Sequence, residues 1–579
     1  MRKLKNNFSI VFVLPAIIFF TTAYWFFIQK PQIESFQKQI DSIKINQNSP
    51  VGVKDSILMK RDLITLQNTL NNSLFQFVSG LFLFSTAYIA WRNLVVSEKK
   101  QIVESFAKAV DQLSSNEVQA RVGGILILEQ IAHGSPEYHW TVIEVLMSYI
   151  RDLSLEEKST SKPQYKVNEN YLYQNTTEKV QRERLQKIME EEAVSVTIDV
   201  QIALTVICRR NNKQDPKGRV IDLKFCDIRG AYMENANLAN ADLTGAKISR
   251  AKLQNVNFAN AKLEEADLTE AILDGSNLNK SSLRNAVLEG ASLEKTDLQD
   301  SDLAYANFTR THLKKAKLNR ALLHFTNFLG AELYGANLSD AKLKLTNLIM
   351  VKVDSNTKLD EKWAQVHKIN NGECKNQEFK EKCDFTDAIL LNANFEGCTL
   401  KKARFERAYL QRTNFKNANL EQANFDGANL EGVNFNNANL KLATFRDDVF
   451  LNLKYANFGG AFLQQATFKN VDFRDSNFIE LNEITDMTGV RFEKKVNFAN
   501  VNFENLILEK AEFVESHLYN TSFCKAKLKE AEFKFCYYKE TNFKEAELGK
   551  AKFIFRESME GANFDDLKGQ NVVFEKVDI

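Results

Sequence analysis

From Leu223 to Val353 every fifth residue is apolar, 27 consecutive positions without an exception. The residue two places before each is nearly always Ala, Ser, Thr, Val or Cys, and the one between them is usually polar, most often Asp, Asn or Lys. In an extended segment residues two apart point to the same side, so the small residue and the following Leu or Phe face inward while the residue between faces water. The two remaining places hold residues suited to a bend, chiefly Gly, Asn, Glu, Lys and Asp. A chain that buries two places in five and then bends is best served by coiling, each short segment pairing with its equivalent in the next turn.

The quintets AYMEN, ANLAN, ADLTG, AKISR and AKLQN carry an Ala-Asp/Asn-Leu-x-x form. This form resembles the pentapeptide-repeat family. The resemblance implies an all-β, right-handed quadrilateral β-helix with four quintets per coil. A period of four quintets has internal support: Phe385, Phe405, Phe425 and Phe445 are 20 apart, as are Phe395, Phe415 and Phe435. Leu390, Leu410, Leu430 and Leu400, Leu420, Leu440 fill the alternate series. Each coil would then carry two Phe and two Leu, with Phe on opposite faces, which keeps core volume constant from layer to layer. Charges at the same spacing (Arg250 with Glu270, Glu264 with Arg284, Glu294 with Lys314) would form pairs worth ~0–1 kcal/mol each.

The beat has breaks. A first solenoid is expected over 215–354 and a helical insertion over 355–383, where Leu359, Trp363, Val366 and Ile369 recur at helical spacing before Asn371-Gly372. Trp363 reads as a packing anchor. A second solenoid is expected over 384–579. Its phase slips by three residues between Phe450 and Phe458, which calls for a bulged corner near 447–457. The irregular piece ELNEITDMTGVRFEKK, within 479–497, reads as a degenerate coil, because the beat returns at Phe498, one coil length after Phe478 and in phase. Phe564 and Phe574 are the last approximate matches, and no clear capping helix follows to cover the strand edges.

Before the repeats, Phe8 to Ile28 is uncharged, long enough to cross a bilayer and without a small-residue cleavage site. A second uncharged run spans Leu63 to Trp91. Residues 1–95 are therefore expected to form a two-helix transmembrane hairpin. Arg2, Lys3, Lys5 and Arg92, Lys99, Lys100 place both ends on the cytoplasmic side. In the loop 30–62, Ile33, Phe36, Ile40 and Ile43 fall at helical spacing, with a break at Asn48-Ser49-Pro50. Residues 96–214 form a juxtamembrane helical domain in this reading, with a flexible insertion at 155–192 and a helix start at Ser135-Pro136-Glu137, Ser135 as N-cap. The segments ESFAKAVDQL, RVGGILILEQIA, SPEYHWTVIEVLMSYIR and VQIALTVICRR resemble the helical region that joins transmembrane segments to pentapeptide repeats in a group of bacterial membrane proteins. That resemblance implies a multi-pass inner-membrane protein with a cytoplasmic repeat domain.

Composition narrows the chemistry. The net charge is +2 with 26% charged residues, an ordinary surface. Cys226, Cys398 and Cys536 occupy the small inward place of a quintet and read as buried apolar residues, and Cys374 and Cys383 have no partner pair at zinc-ligand spacing, so a reducing compartment is expected. His133, His139 and Trp140 read as structural. The cluster Arg310, Lys314, Lys315, Lys317 and Arg320 reads as a solvated face, with no aromatic residues interleaved to stack bases. No nucleophile with its base, phosphate-cradling loop or nucleotide fingerprint is present, so no catalytic, cofactor-binding or metal-ligating residue is assigned.

Three functional readings follow. The first is a non-enzymatic membrane-anchored scaffold whose rigid rod meets an unknown protein partner, with the lipid bilayer engaged through two transmembrane helices. The second is a DNA mimic that binds a topoisomerase, disfavoured by 16 basic against 16 acidic residues between Ile221 and Met350. Direct nucleic-acid binding is disfavoured by the same balance. The third is assistance in placing envelope lipids or other membrane components.

Overall fold

Each quintet becomes one short side and one corner. At a typical corner the N–H of the small residue returns to the carbonyl of the core residue three before it, as Ala246 does to Leu243 at 3.0 Å. The last residue of the quintet lies in the left-handed region, where ordinary side chains such as Glu265 (φ 59), Lys280 (φ 57) and Asp300 (φ 57) are accommodated. That conformation costs roughly 1–2 kcal/mol per residue. It is offset because the N–H of the same residue donates to the next coil, as Glu265 does to Arg284 O at 2.8 Å. At Gly245 a side chain is excluded for a second reason, since a Cβ would lie 2.5 Å from the Phe225 ring. The Asp/Asn preference between the two inward places also has a local cause: the side-chain oxygen accepts the N–H two residues on, as in Thr244 N–H to Asp242 (3.2 Å) and Ala259 N–H to Asn257 (3.2 Å).

The computed structural model describes residues 19–20, 22–42, 50–156, 196–372, 374–480, 484–556, 559, 561–565 and 571–577. Two compact units, Met1–Ala109 and Val110–Ile579, divide the chain. In the second unit the outward residues form parallel bridges from Asp222↔Asp242 through Asn327↔Asn347, each residue meeting its counterpart four quintets on. The first block continues past Val353 with one added residue, since Lys358 bridges Asn337. The second block adds nine strands: β1 (Thr444–Asn452), β2 (Thr467–Asp472), β3 (Arg491–Glu493), β4 (Glu512–Val514), β5 (Glu532–Lys534), β6 (Thr541–Asn542), β7 (Lys552–Phe555), β8 (Ala562–Asn563) and β9 (Val573–Lys576). Seven of them stack as a parallel sheet in the order β1-β2-β3-β4-β5-β7-β9, and β6 pairs with β8.

Two Phe columns fill the core of this block. One runs Phe385, Phe405, Phe425, Phe445, Phe468, Phe492, Phe513, Phe533, Phe553, Phe574, with stacked neighbours 4.6–5.4 Å apart. The other begins Phe395, Phe415, Phe435, Phe458, Phe478. Rings of the two columns meet edge to face at the centre, as Phe425 and Phe435 do at 5.5 Å.

The coil length is not constant. Between β1 and β2 the register shifts across Arg446/Leu451, and the added residues stand out as a bulge carrying Val449 and Phe450. The degenerate coil at 479–497 is longer than the four quintets expected. Phe498 stacks at 5.3 Å on Phe473, one quintet further back than Phe478, which instead meets Phe503. Four residues enter between Phe478, which stacks on Phe458, and Asp486, which bridges Phe462, and one more enters at Lys494-Lys495, both at positive φ. The return in phase at Phe498 arises because five added residues equal one quintet.

Among the helices, a π-helical turn (Trp25–Gln29) leads into α1 (Lys30–Ser42). Helix α2 (Pro50–Leu113) is a single element of 64 residues, starting on a proline and passing without a break through the uncharged run and on to ESFAKAVDQL. Then come α3 (Val118–Gly134), α4 (His139–Glu156), α5 (Ile198–Arg209) and α6 (Glu361–Asn370). Ser135 is not an N-cap: its N–H closes the end of α3 on Ile131 O, and α4 starts only at His139, after a turn through Pro136. Helix α6 buries Trp363, Val366 and Ile369 and is bonded on both sides, His367 to Val351 O (2.8 Å) and Asn370 to Ile389 O (3.1 Å). The segment Val53–Leu113 is the one stretch among the described residues long and apolar enough to cross a membrane. Of the other expected span, Phe8–Ile28, residues 8–18 and 21 lie outside the described residues, as do 43–49 of the loop and 157–195 of the expected insertion.

Candidate functional site

A β-solenoid leaves unpaired backbone groups on its first coil, and these need partners. Here α4 and α5 supply them from side chains. Asp222 N–H meets Met147 Sδ (3.1 Å) and its carbonyl accepts from Arg151 (3.0 Å), whereas Asp227 N–H donates to Ser154 Oγ (2.9 Å). Gln201 stands in for a strand: its amide nitrogen donates to Tyr232 O and its amide oxygen accepts Tyr232 N–H, each at 2.9 Å. Arg210 closes the set on Asn237 O at 2.8 Å. The helical domain is thus the cap of the first coil. Gln201→Ala is expected to cost about 1 kcal/mol, the net worth of such bonds, and to speed amide exchange at Tyr232 in hydrogen-exchange measurements.

Behind this cap lies a buried polar cluster. Arg121 of α3 donates to Asp199 of α5 at 2.6 Å and to the Tyr149 hydroxyl of α4 at 3.0 Å, and Tyr149 donates to the same carboxylate. Asp199 is 0% exposed. Burial pushes its carboxyl up, but hydrogen bonds from Thr197, Tyr149 and Arg121 outweigh that and hold it at about 2. Arg121 also holds the carbonyls of Ser115 and Asn116 at 3.0 Å, tying the turn before α3 to both other helices. No periodicity marks these residues, because they meet across 28 to 78 positions of sequence.

The residues singled out from sequence fall into structural roles. His139 is buried against Asp215 (3.1 Å), which Arg210 also holds (3.0 Å). A cleft of about 70 Å³ lies beside it, lined in part by Glu129 and His133. Trp140 donates to Glu144 at 2.8 Å. Cys226, Cys398 and Cys536 are buried inward. In the basic cluster Arg320 pairs with Asp300 through two bonds of 2.7 Å and Lys317 lies 3.4 Å from Asp297. Of the three expected charge pairs, Arg250–Glu270 forms at 2.9 Å. The second does not, since Arg284 reaches Asp302 at 3.0 Å and Glu264 accepts from Thr244. Nor does Glu294–Lys314 form among the described residues; Glu294 N–H is held by Asp274. Equal spacing brings two Cβ atoms together but does not choose between neighbours on the adjacent side.

The outer surface is uneven. One run of outward positions is an amide ladder, Asn414 to Asn394 (3.0 Å), Asn434 to Asn414 (3.0 Å) and Asn477 to Asn457 (3.1 Å). Elsewhere apolar groups protrude: Val449 is 81% exposed and Tyr455 60%. Nearer the carboxyl end His517 stacks on Tyr537 at 4.7 Å with Tyr519 edge-on at 5.5 Å.

Models of pentapeptide repeats match residues 221–255, 251–290, 281–320, 313–348 and 497–534. A pentapeptide repeat region matches 379–449, and a third pentapeptide-repeat model matches 430–477. The chain is a pentapeptide-repeat protein. Among solved structures it is similar to HetL, a pentapeptide repeat protein involved in heterocyst differentiation regulation from the cyanobacterium Nostoc, at 24% identity over 44% of this chain and 85% of that one, with a TM-score of 0.18. It is also similar to QnrB1, a plasmid-mediated fluoroquinolone resistance protein (18% identity, 34% of this chain, 89% of that one, TM-score 0.21). A third similar structure is Rfr23 from the cyanobacterium Cyanothece (27% identity, 23% and 91%, TM-score 0.14). At these scores the structures add nothing to the family assignment, which rests on the repeat models. No curated protein matches the chain.

Proposed function

We propose that this pentapeptide-repeat protein is a non-enzymatic scaffold anchored in a membrane by two helices, with its repeat rod on the cytoplasmic side presenting an outward surface to a protein partner. The observation that carries this reading is the fixed junction between the helical domain and the first coil, where Arg151, Ser154, Gln201 and Arg210 clamp the rod. A rod held in this way is continuous with the helices that cap it. Helix α2 supports the anchor, since Phe75, Phe82, Leu83 and Phe84 are exposed within its uncharged stretch. The protruding Val449, Phe450 and Tyr455 support a protein partner, because buried apolar and aromatic side chains supply most of the energy at interfaces.

The anchor is tested by washing membranes with alkaline carbonate. The full chain is expected to stay in the pellet; release of the unaltered chain refutes the anchor. DNA mimicry has no comparable support, given the equal count of acidic and basic residues in the first block.

A further inference from the structure

Where the inward small place of a quintet holds Ser or Thr, its hydroxyl usually donates to the carbonyl of a core residue in the coil below. Thr326 does so to Leu303 O (2.9 Å), Thr413 to Leu390 O (2.8 Å), Thr521 to Phe498 O (3.0 Å) and Thr541 to Leu518 O (2.7 Å). Cys398 holds that place in the second block and donates to the carbonyl of Cys374 at 2.6 Å. Elsewhere the residue below is Leu or Phe; here it is a second thiol, whose own S–H points to Asn394 O at 2.6 Å. Both cysteines are buried, at 2% and 0% exposure, and the Cys398 thiol lies directly against the Cys374 main chain. Packing does not call for this pair, since Thr and Leu fill the same two places in other coils.

We propose that Cys374 and Cys398 are a reversible redox staple, closing to a disulfide that ties the layer of helix α6 to the second block. Cys374 follows α6 by four residues, after the turn at Asn371 and Gly372. The bond would therefore fix that turn, the point at which the coil returns from helix to repeat. The oxidant is a low-molecular-weight disulfide. The Cys398 thiolate attacks one of its sulfurs, the S–S bond breaks and one small thiolate leaves with a proton. Cys374 then attacks the Cys398 sulfur and expels the second small thiol. Two protein thiols are oxidised and one small disulfide is reduced to two thiols.

The test equilibrates the full chain in detergent with mixtures of oxidised and reduced glutathione, then unfolds it in the presence of an alkylating agent and maps the thiols by mass spectrometry. The expected result is loss of alkylation at two of the seven cysteines, a Cys374–Cys398 linked peptide, and full reversal by reduced glutathione. Cys226 and Cys536, also buried, remain alkylated. Cys398→Thr, which places at this position the residue found at Thr413, abolishes the link and melts like the reduced unaltered chain. Oxidation raises the melting temperature of the unaltered chain only. Alkylation of Cys374 and Cys398 throughout the series, a link between other cysteines, or an unchanged melt on oxidation overturns the proposal.

Discussion

Leu243→Asp is expected to unfold the neighbouring coils of the first block. Leu243 is 0% exposed, and its N–H and carbonyl are engaged by Lys262 O (2.7 Å) and Ala246 N–H (3.0 Å). A carboxylate at this place has leucines above and below and no cation within the core. Such a substitution belongs to the largest class of single-residue effects, about 4–5 kcal/mol or more. A solenoid is stabilised chiefly between neighbours, so the loss spreads along the stack and is not confined to one coil. Circular dichroism on heating the full chain in detergent should show a lower, broader transition. Lys262→Ala, at an outward place, should stay within about 0.5 kcal/mol of the unaltered chain. Equal melting of the Leu243 variant and the unaltered chain would refute the assignment of inward and outward places.

The second large effect is at Asp199. Asp199→Ala leaves Arg121 and Tyr149 facing each other without their shared acceptor, and removal of one partner from a buried ion pair costs about 3–5 kcal/mol. The same group gives the helical domain a pH dependence. Its carboxyl is held at about 2 against an ordinary 3.8, so its contribution to stability is complete above 3.8 and is lost as the pH falls toward 2. Acid unfolding followed by the near-ultraviolet signal should lose this component in Asp199→Ala. Because the helices cap the first coil, the variant should also speed amide exchange at Tyr232, more strongly than Gln201→Ala does. Slow exchange at Tyr232 in Asp199→Ala would separate the cluster from the cap.

Much of the repeat was legible because its physics is local. A five-residue period states which side chains face inward, and a column such as Phe385 to Phe445 states the coil length without reference to anything distant. The same reasoning misplaced Phe498, because an insertion of one quintet's length restores the phase while shifting the stack to Phe473. It also assigned Arg284 to Glu264, whereas Arg284 reaches Asp302 instead. Ser135 shows a different limit, since a hydroxyl before a proline suits the start of a helix as well as the end of the previous one, and α3 claimed it. The cap was not legible at all. Gln201, Ser154 and Arg151 look like ordinary polar positions on helices, and only the fold puts them against the edge of the first coil.

The most direct test of the scaffold is photocrosslinking of the full chain in native membranes, with a photoreactive residue placed in turn at Val449, Tyr455 and Tyr537 and, as a contrast, at Asn414 and Asn434 on the amide ladder. The account predicts a discrete protein adduct from the protruding apolar positions, weak or absent from the ladder, and lost from the Leu243→Asp chain. Uniform labelling at all five positions, or no adduct at any of them, would contradict it.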